Sequence, residues 1–412
     1  MFDFANSAFT TLIVTFIYAA YFTGAIAPDP ETGTALWSIA VAISALVVAV
    51  CSPFLGAMAD KGGLRRRYLL ISTVVCIAGS VLLYFPVPGQ VLFALTAFVV
   101  ANVAFEMANV FYNAYLPELA PPEKIGRVSG NGWALGYLGG LLCLLAGFYI
   151  FVAPESAPFG LSKETGQHIR ATNLLVAAWF ALFSLPMFFW VPEPPVAKGV
   201  PASQLFREAA VELKSTFAHI KTFKNLFWLL IARLVYNDGI VTIFAFGAIY
   251  ATGTFGFETE DMFMFGIALN VAAGLGAWAF GFVDDKIGGR TTIFISLAGL
   301  VVAAIIAVTA QTAAMFWFSA VLVGLLAGPN QAASRSLMGR FIPLGRENEF
   351  FGFYAFSGKA TAFMGPLALG ALTVAYGQRA GVSVVILFFV VGAFILKRVN
   401  EKEGMAAAGR AV

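Results

Sequence analysis

Gly56-Ala57-Met58-Ala59-Asp60-Lys61-Gly62-Gly63-Leu64-Arg65 returns 225 residues later as Gly281-Phe282-Val283-Asp284-Asp285-Lys286-Ile287-Gly288-Gly289-Arg290. Gly, Asp, Lys, Gly and Arg recur in register. Each copy is a short charged loop between two long apolar runs, so the chain is a duplicated apolar architecture with one loop preserved in both halves. Composition says what kind. Of 412 residues, 60% are hydrophobic and 11% charged, where a soluble domain carries about a quarter charged residues. A soluble fold of this size has no interior for 42 Phe, and disordered chains are polar and highly charged. The sequence is that of an integral membrane protein.

A bilayer core about 30 Å thick takes roughly 20 apolar residues in helix. With that ruler the spans fall near 5–27, 36–58, 68–86, 90–115, 128–153, 171–191, 226–251, 261–283, 291–309, 314–338, 351–376 and 380–397. Unbroken apolar runs argue for helices and against a barrel, whose strands alternate every second residue. Lys and Arg set the orientation. With the N-terminus inside, cytoplasmic segments hold 20 of the 25 basic residues, including Lys61, Arg65, Arg66, Arg67, Lys198, Arg207, Lys214, Lys221 and Lys224. Outer loops hold three, Lys163, Arg170 and Arg379, while Arg233 and Lys359 fall within spans. The expected fold is an all-α membrane protein of twelve transmembrane helices in two six-helix halves, both termini cytoplasmic. The halves are 1–191 and 226–412. Residues 192–225 form a cytoplasmic central loop, opening with the turn-forming Pro192-Glu193-Pro194-Pro195. In it Phe206, Ala210, Leu213, Phe217 and Ile220 repeat at helical spacing, an amphipathic face for the membrane surface or the inner ends of the bundle.

Several chemistries lack their residues. Cys51, Cys76 and Cys143 sit in apolar runs, so no disulfide framework is implied. His168 and His219 lie apart in polar segments, which disfavours a metal site. There is no His-Glu-x-x-His, no Gly-x-Ser-x-Gly elbow and no Walker-type phosphate loop, so neither an intramembrane enzyme nor an ATP-driven pump is expected. The opening Met1-Phe2-Asp3-Phe4 has no basic lead, unlike a cleavable signal peptide.

The repeated loop resembles the Gly-x-x-x-Asp-Lys/Arg-x-Gly-x-Arg signature of the major facilitator superfamily, with Leu64 where an Arg is common. Finer similarity lies in Asp3-Phe4-Ala5-Asn6-Ser7-Ala8-Phe9, Phe111-Tyr112-Asn113-Ala114-Tyr115-Leu116-Pro117, Gly130-Asn131-Gly132-Trp133-Ala134-Leu135-Gly136-Tyr137, Ser334-Arg335-Ser336-Leu337 and Phe350-Phe351-Gly352-Phe353-Tyr354. These stretches are similar to the vacuolar amino-acid effluxer family linked to autophagy and its bacterial relatives. The resemblance implies a transporter, and amino acids only loosely. Physically, Gly56 and Gly281 let helix ends approach closely, and Asp60 and Asp285 can each meet the positive N-terminal end of another helix or pair with a base. With Lys61, Arg65, Lys286 and Arg290 they form an expected conformational latch; the alternative is topogenic charge in a tight turn. Span five has Gly132, Gly136, Gly139 and Gly140 for close packing but lacks the Gly-Pro pair of the family's antiporter signature. Gly365-Pro366 is either a flex point or simple packing.

Ionisable groups inside a span are expensive and face protein or a watery cavity. Asn102, Glu106, Asn109 and Asn113 fall at i, i+4, i+7 and i+11 of span four, a stripe about 60° wide and roughly 16 Å long. Span one shows Asp3, Asn6, Ser7 and Thr10 similarly. In span seven Arg233 and Asn237 share a face with Tyr236 beside them, while Asp238 points about 140° from Arg233. Span ten offers Asn330, Gln331, Ser334 and Arg335 after an expected kink at Gly328-Pro329, and span eleven Lys359. Spans one, four, seven and ten are those that line the central cavity in the superfamily, which the resemblance implies here. Glu106, Arg233, Gln331, Arg335 and Lys359 are either a substrate site or an inner gate of salt bridges. The alternative readings are a helix cap for Asp3, a snorkelling surface cation for Arg335 and a helix–helix hydrogen bond for Asn270.

The intramembrane charges of Glu106, Asp238, Arg233 and Lys359 sum to zero, which suits a zwitterion. The expected function is secondary active transport of a small polar or zwitterionic solute, an amino acid or short peptide, by alternating access. Export of amphipathic cations or lipids, through cation–π and carboxylate contacts, is the second reading. A non-transporting receptor or scaffold is the third. Glu106 and Asp238 are the carboxylates for proton coupling. No cofactor is expected beyond a coupling proton or sodium ion. The partners are a small-molecule substrate and the lipid bilayer, with no nucleic acid, and each chain suffices as a monomer. Short loops favour a bacterial inner membrane.

Overall fold

A computed structural model describes residues 1–156, 158–192, 202–218 and 222–409. Lys198, His219, Ile220 and Lys221 lie outside them, as do Glu193-Pro194-Pro195 and the side chain of Phe217. Among the described residues the chain is helical. We number the helices α1 Phe2–Ile26, α2 Pro30–Gly62, α3 Arg65–Leu82, α4 Val91–Leu119, α5 Pro122–Val152, α6 Gln167–Trp190, α7 Ala202–Ala218 and α8 Lys224–Phe255. There follow α9 Thr259–Ile287, α10 Gly289–Thr309, α11 Ala313–Phe341, α12 Glu347–Lys359, α13 Met364–Tyr376, α14 Gln378–Leu396 and α15 Glu401–Ala407. Ten of these are long and apolar enough to cross a membrane.

The two expected spans outside that set have a physical explanation. Helix α3 covers the span expected at 68–86, but it opens with Arg65-Arg66-Arg67, and 18 residues leave little apolar length after them. The span expected at 351–376 is broken into α12 and α13. Pro366 has no N–H to give the carbonyl one turn back, at Ala362, and its ring crowds that carbonyl, so the helix stops at Lys359 and restarts at Met364. At Gly328-Pro329, by contrast, no break appears: α11 runs through from Ala313 to Phe341. Gly328 there sits against the Ala273 backbone of α9, where a Cβ would collide, so packing holds the helix straight enough to continue.

The chain packs as two compact units. Unit 1 comprises residues Met1–Cys51, Gly62–Tyr112 and Leu135–Gly199. In it α6 packs on α1 and α3, and the glycines of α5 bring α1 close: a Cβ at Gly139 would strike the Phe4 carbonyl, and one at Gly140 the Thr11 hydroxyl. Unit 2 comprises Ser52–Lys61, Asn113–Ala134 and Val200–Val412. Its core is α9 and α10 against α11, and α8, α10 and α13 against α14. Thus the C-terminal end of α2, and the stretch from the end of α4 into α5, which belong by sequence to the first half, pack with the second.

Helix α7 belongs to unit 2, and the face it buries there is a different one from the apolar face read from the sequence for the membrane surface or the bundle ends. Leu205, Ala209 and Thr216 are buried, whereas Phe206 and Ala210 are exposed. The phase is set by polar contacts: Glu212 pairs with Lys61 at 2.7 Å and with Arg346 at 3.1 Å, and Thr216 donates to Glu349 at 2.5 Å. These turn the Phe206 side outward.

Candidate functional site

The two repeated loops share one geometry. Gly63 and Gly288, again 225 residues apart, both hold positive φ, +60° and +87°, where a Cβ would be strained. That lets each loop turn from one helix into the next within a residue or two. A Cβ at Gly56 would run into the Asn348 carbonyl of α12, and one at Gly352 into the Ser52 carbonyl of α2. In the second copy, a Cβ at Gly281 would press on Arg127 of α5, and one at Gly130 on the Ala277 carbonyl of α9. Glycine therefore faces backbone at both crossings, α2 on α12 and α9 on α5.

Close approach brings each loop aspartate to a helix N-terminus. Asp60 accepts from the Asn348 N–H at 3.1 Å, the Glu349 N–H at 2.8 Å and the Asn348 side-chain amide at 2.6 Å. Asp285 accepts from the Gly126 N–H at 2.9 Å and the Arg127 N–H at 3.2 Å, with Arg127 Nε at 2.5 Å. The first N–H groups of a helix have no intrahelical acceptor and carry partial positive charge, so a carboxylate there satisfies both needs.

The basic members of the loops go elsewhere. Arg65 is buried in unit 1, Lys61 binds Glu212 of α7, and Lys286 is exposed. Arg290 does not join the Asp285 cluster. Its side chain donates to the Leu396 and Lys397 carbonyls, while its own N–H and that of Gly289 donate to Glu401 of α15 at 2.9 and 3.0 Å. Arg340 takes the place the sequence reading gave to Arg290. It is buried, 2.6 Å from Asp284, 3.9 Å from Asp285 and 3.5 Å from Glu401. Sequence reasoning missed Arg340, Glu401, Glu212 and Arg346, which look like ordinary topogenic or solvated charges. Asp284 offered a signal, as an extra acid beside Asp285 at the end of an apolar run; its second oxygen accepts from Ser336.

The intramembrane candidates divide between the units. In unit 1, Asn6 donates to Asn109 at 2.8 Å, joining α1 to α4 through the two stripes read from sequence. Asp3 accepts from the Tyr112 hydroxyl at 3.0 Å, an interhelical contact in addition to any role at its helix end. Thr10 bonds its own helix at Ser7, Asn102 is buried, and Glu106 is half-buried. In unit 2, Asn113 accepts from Arg335 at 3.2 Å, and Arg335 also donates to Ser129 Oγ at 2.9 Å and to the Ser129 carbonyl at 2.7 Å. Its guanidinium lies 5.7 Å from the Trp133 ring. With 5% of its surface exposed, Arg335 is inside the protein rather than snorkelling. Asn270 bonds the Gly266 carbonyl of its own helix, in place of the interhelical bond expected.

Helices α8, α11 and α12 assemble the remaining group. Arg233 lies over the Tyr354 ring at 3.7 Å and donates to the Tyr354 carbonyl at 2.8 Å and Ser357 at 3.0 Å. Gln331 donates to Asn237 at 3.0 Å, and Tyr236 and Ser334 share a hydrogen bond at 2.7 Å. Asp238 accepts from the Gly365 N–H at 3.2 Å, at the start of the helix that resumes after the break. Polar capacity is left over: Arg233 Nε, Asp238 Oδ1, the Tyr354 hydroxyl and both side-chain polar atoms of Asn330 have no hydrogen-bond partner among the described residues. Lys359 ends α12 and is half-buried. No cluster of three or more His, Cys, Asp or Glu fit for a metal occurs among the described residues.

Residues 31–409 match the family described as vacuole effluxer Atg22 like. The chain belongs to that family. It is 27% identical over 98% of its length to the uncharacterized MFS-type transporter YxiO of Bacillus subtilis (strain 168), covering 94% of that protein. It is 23% identical to autophagy-related protein 22 of Coccidioides immitis (strain RS), over 82% of this chain and 67% of the relative. Among solved structures, the human organic anion transporter MFSD10 (TETRAN) superposes with a TM-score of 0.76 at 14% identity, covering 96% of this chain and 97% of that one. The proton:xylose symporter XylE gives 0.75 at 16% identity, over 98% and 94%. These likenesses establish the fold as that of the major facilitator superfamily, and the family makes the chain a multi-pass membrane transporter.

Proposed function

We propose that this Atg22-like protein is a twelve-span secondary transporter that moves a small zwitterionic solute, an amino acid or short peptide, by proton-coupled alternating access, with both termini cytoplasmic. The observation that carries the reading is the unsatisfied polar set on α8, α11 and α12. Buried polar groups are normally hydrogen-bonded, and here one guanidinium nitrogen, one carboxylate oxygen and a whole carboxamide lack partners. The set offers opposite charges, as a solute with a carboxylate and an ammonium requires. Glu106 and Asp238 are the carboxylates assigned to the proton, and Asp60 and Asp285 the two latches of the cytoplasmic face.

The test is a thermal-shift screen of detergent-purified protein with amino acids, dipeptides, sugars and lipophilic cations. A ligand at about 100 times its Kd stabilises by roughly 2.7 kcal/mol. Zwitterions are expected to stabilise the wild type, and much less so Arg233→Ala. In liposomes Glu106→Gln is expected to abolish concentrative uptake while leaving the fold intact. Stabilisation by lipophilic cations alone would replace the reading with amphiphile export. Wild-type pH-dependent accumulation by Glu106→Gln would remove Glu106 from coupling.

A further inference from the structure

Unit 1 holds a second set of unsatisfied buried polar atoms, on residues that the transport reading does not use. The hydroxyls of Tyr18 and Tyr21, Arg170 Nε and Asn173 Oδ1 have no hydrogen-bond partner among the described residues. Tyr18 is fully buried, Tyr21 is 7% exposed and Arg170 5%. The tyrosines occupy one regular turn between two widened stretches of α1, Phe9–Phe16 and Phe22–Ile26. There the backbone bonds reach five residues, as from the Ile17 N–H to the Leu12 carbonyl and from Ala27 to Phe22, both 2.9 Å. Each widened turn shifts the register of the helix, and such turns collect at functional sites.

The Tyr21 hydroxyl meets α6 at its start, with Tyr18 beside it. Their rings are 6.1 Å apart, and the Tyr21 hydroxyl lies 2.6 Å from where a Cβ on Gly166 would fall. Gly166 is the N-cap of α6; no side chain caps this end and its first turn has no acid. One turn later, the Arg170 guanidinium stands within electrostatic reach of both hydroxyls. A structural duty accounts for part of Arg170: its terminal nitrogens donate to the carbonyls of Tyr84, Phe85 and Pro86 at 3.1–3.2 Å and of Thr165 at 3.3 Å. Asn173 likewise donates to the Leu83 carbonyl at 3.1 Å. That duty leaves Nε and the two hydroxyls over.

Charge identifies the missing partner. Each hydroxyl accepts as well as donates, so water would satisfy both of them and Arg170 Nε. The guanidinium is nevertheless only 5% exposed and has no carboxylate paired with it among the described residues. Water leaves that buried charge uncompensated; an anion neutralises it. Trp37, packed 6.1 Å from Tyr18, 5.3 Å from Phe22 and 4.1 Å from Phe98 by ring centroids, walls the tyrosines with apolar surface. An ion with a large hydration shell does not suit such surroundings. We propose that Tyr18, Tyr21 and Arg170 form a binding site for one small monovalent anion of the halide class, which ties α1 to the start of α6.

The experiment compares melting of the purified full-length protein in potassium chloride, bromide and gluconate at equal ionic strength. Chloride and bromide are expected to raise the melting temperature saturably by roughly 2 °C or more. A Tyr18→Phe/Tyr21→Phe double variant keeps the rings but not the hydroxyls, so it is expected to melt like the wild type in gluconate and to lose the halide shift. Should that variant fail to fold, bromide anomalous scattering from wild-type crystals decides, with a peak expected within hydrogen-bonding distance of Arg170 Nε. Equal melting in all three salts, a halide shift that survives the double substitution, or bromide bound only elsewhere would overturn the site and leave ordered water to fill the gap.

Discussion

Replacing Asp285 with Asn tests the latch at its strongest point. The change is nearly isosteric, so packing at Gly281 and Gly130 is kept while the carboxylate charge is removed. The Asp285 side chain is 2% exposed and accepts from two backbone N–H groups at 2.9 and 3.2 Å. A hydrogen bond to a buried charge contributes about 1.5–3 kcal/mol, against about 1 for a neutral acceptor, and an amide oxygen serves both N–H groups poorly. The Arg127 pair adds little, because that side chain is 40% exposed. Loss of the interaction with the α5 N-terminus adds up to about 1 kcal/mol. The engaged state therefore loses roughly 2–4 kcal/mol, a shift of about 30- to 700-fold in its equilibrium with any state in which the contact is broken. Pairs of spin labels at the exposed Lys124 and Lys286 report this directly. The variant is expected to populate a longer distance that the wild type shows weakly, and Asp60→Asn is expected to act in the same direction on its own crossing. An unchanged distance distribution together with a lower melting temperature would refute the reasoning, since it would make Asp285 a permanent strut.

Three further outcomes follow from the same geometry. Gly352→Ala places a Cβ on the Ser52 carbonyl and is expected to destabilise by about 1–3 kcal/mol, as is Gly130→Ala against Ala277, both read by thermal melting. Arg335→Ala removes the hydrogen bonds to Ser129 and Asn113 and is expected to cost about 2–4 kcal/mol, whereas a snorkelling arginine would cost under 0.5. Burial alone would raise the Glu212 carboxyl, but Lys61 and Arg346 together hold it below its ordinary value. Its stabilising contribution is therefore present at neutral pH and is lost as pH falls through that lowered value. Hydrogen-exchange protection factors over Ala202–Ala218, corrected for the intrinsic pH dependence of exchange, are expected to fall at acid pH in the wild type, and in Glu212→Gln to be low already at neutral pH.

Much of this protein is written in local patterns. Length and apolarity of the runs determined that the chain crosses a membrane as helices, because a bilayer leaves no other way to satisfy the backbone. The in-register loops determined the duplication. The helical phase of Asn102, Glu106, Asn109 and Asn113 determined which face of α4 is polar, and Asn6–Asn109 and Arg335–Asn113 are made on that face. Which partner each residue takes was not local. Asp60 and Asp285 meet α12 and α5, from the opposite halves of the sequence, because glycine pairs more than a hundred residues apart let those helices touch. The same remoteness hid Arg340 and Glu401, whose roles depend on α11 and α15 ending beside the second loop. It also hid Tyr18, Tyr21 and Arg170, since only the fold shows that their neighbours leave them unsatisfied. Sequence fixes a helix and its faces through interactions within a few turns, while long-range packing decides which polar atoms find partners and which are left for a ligand.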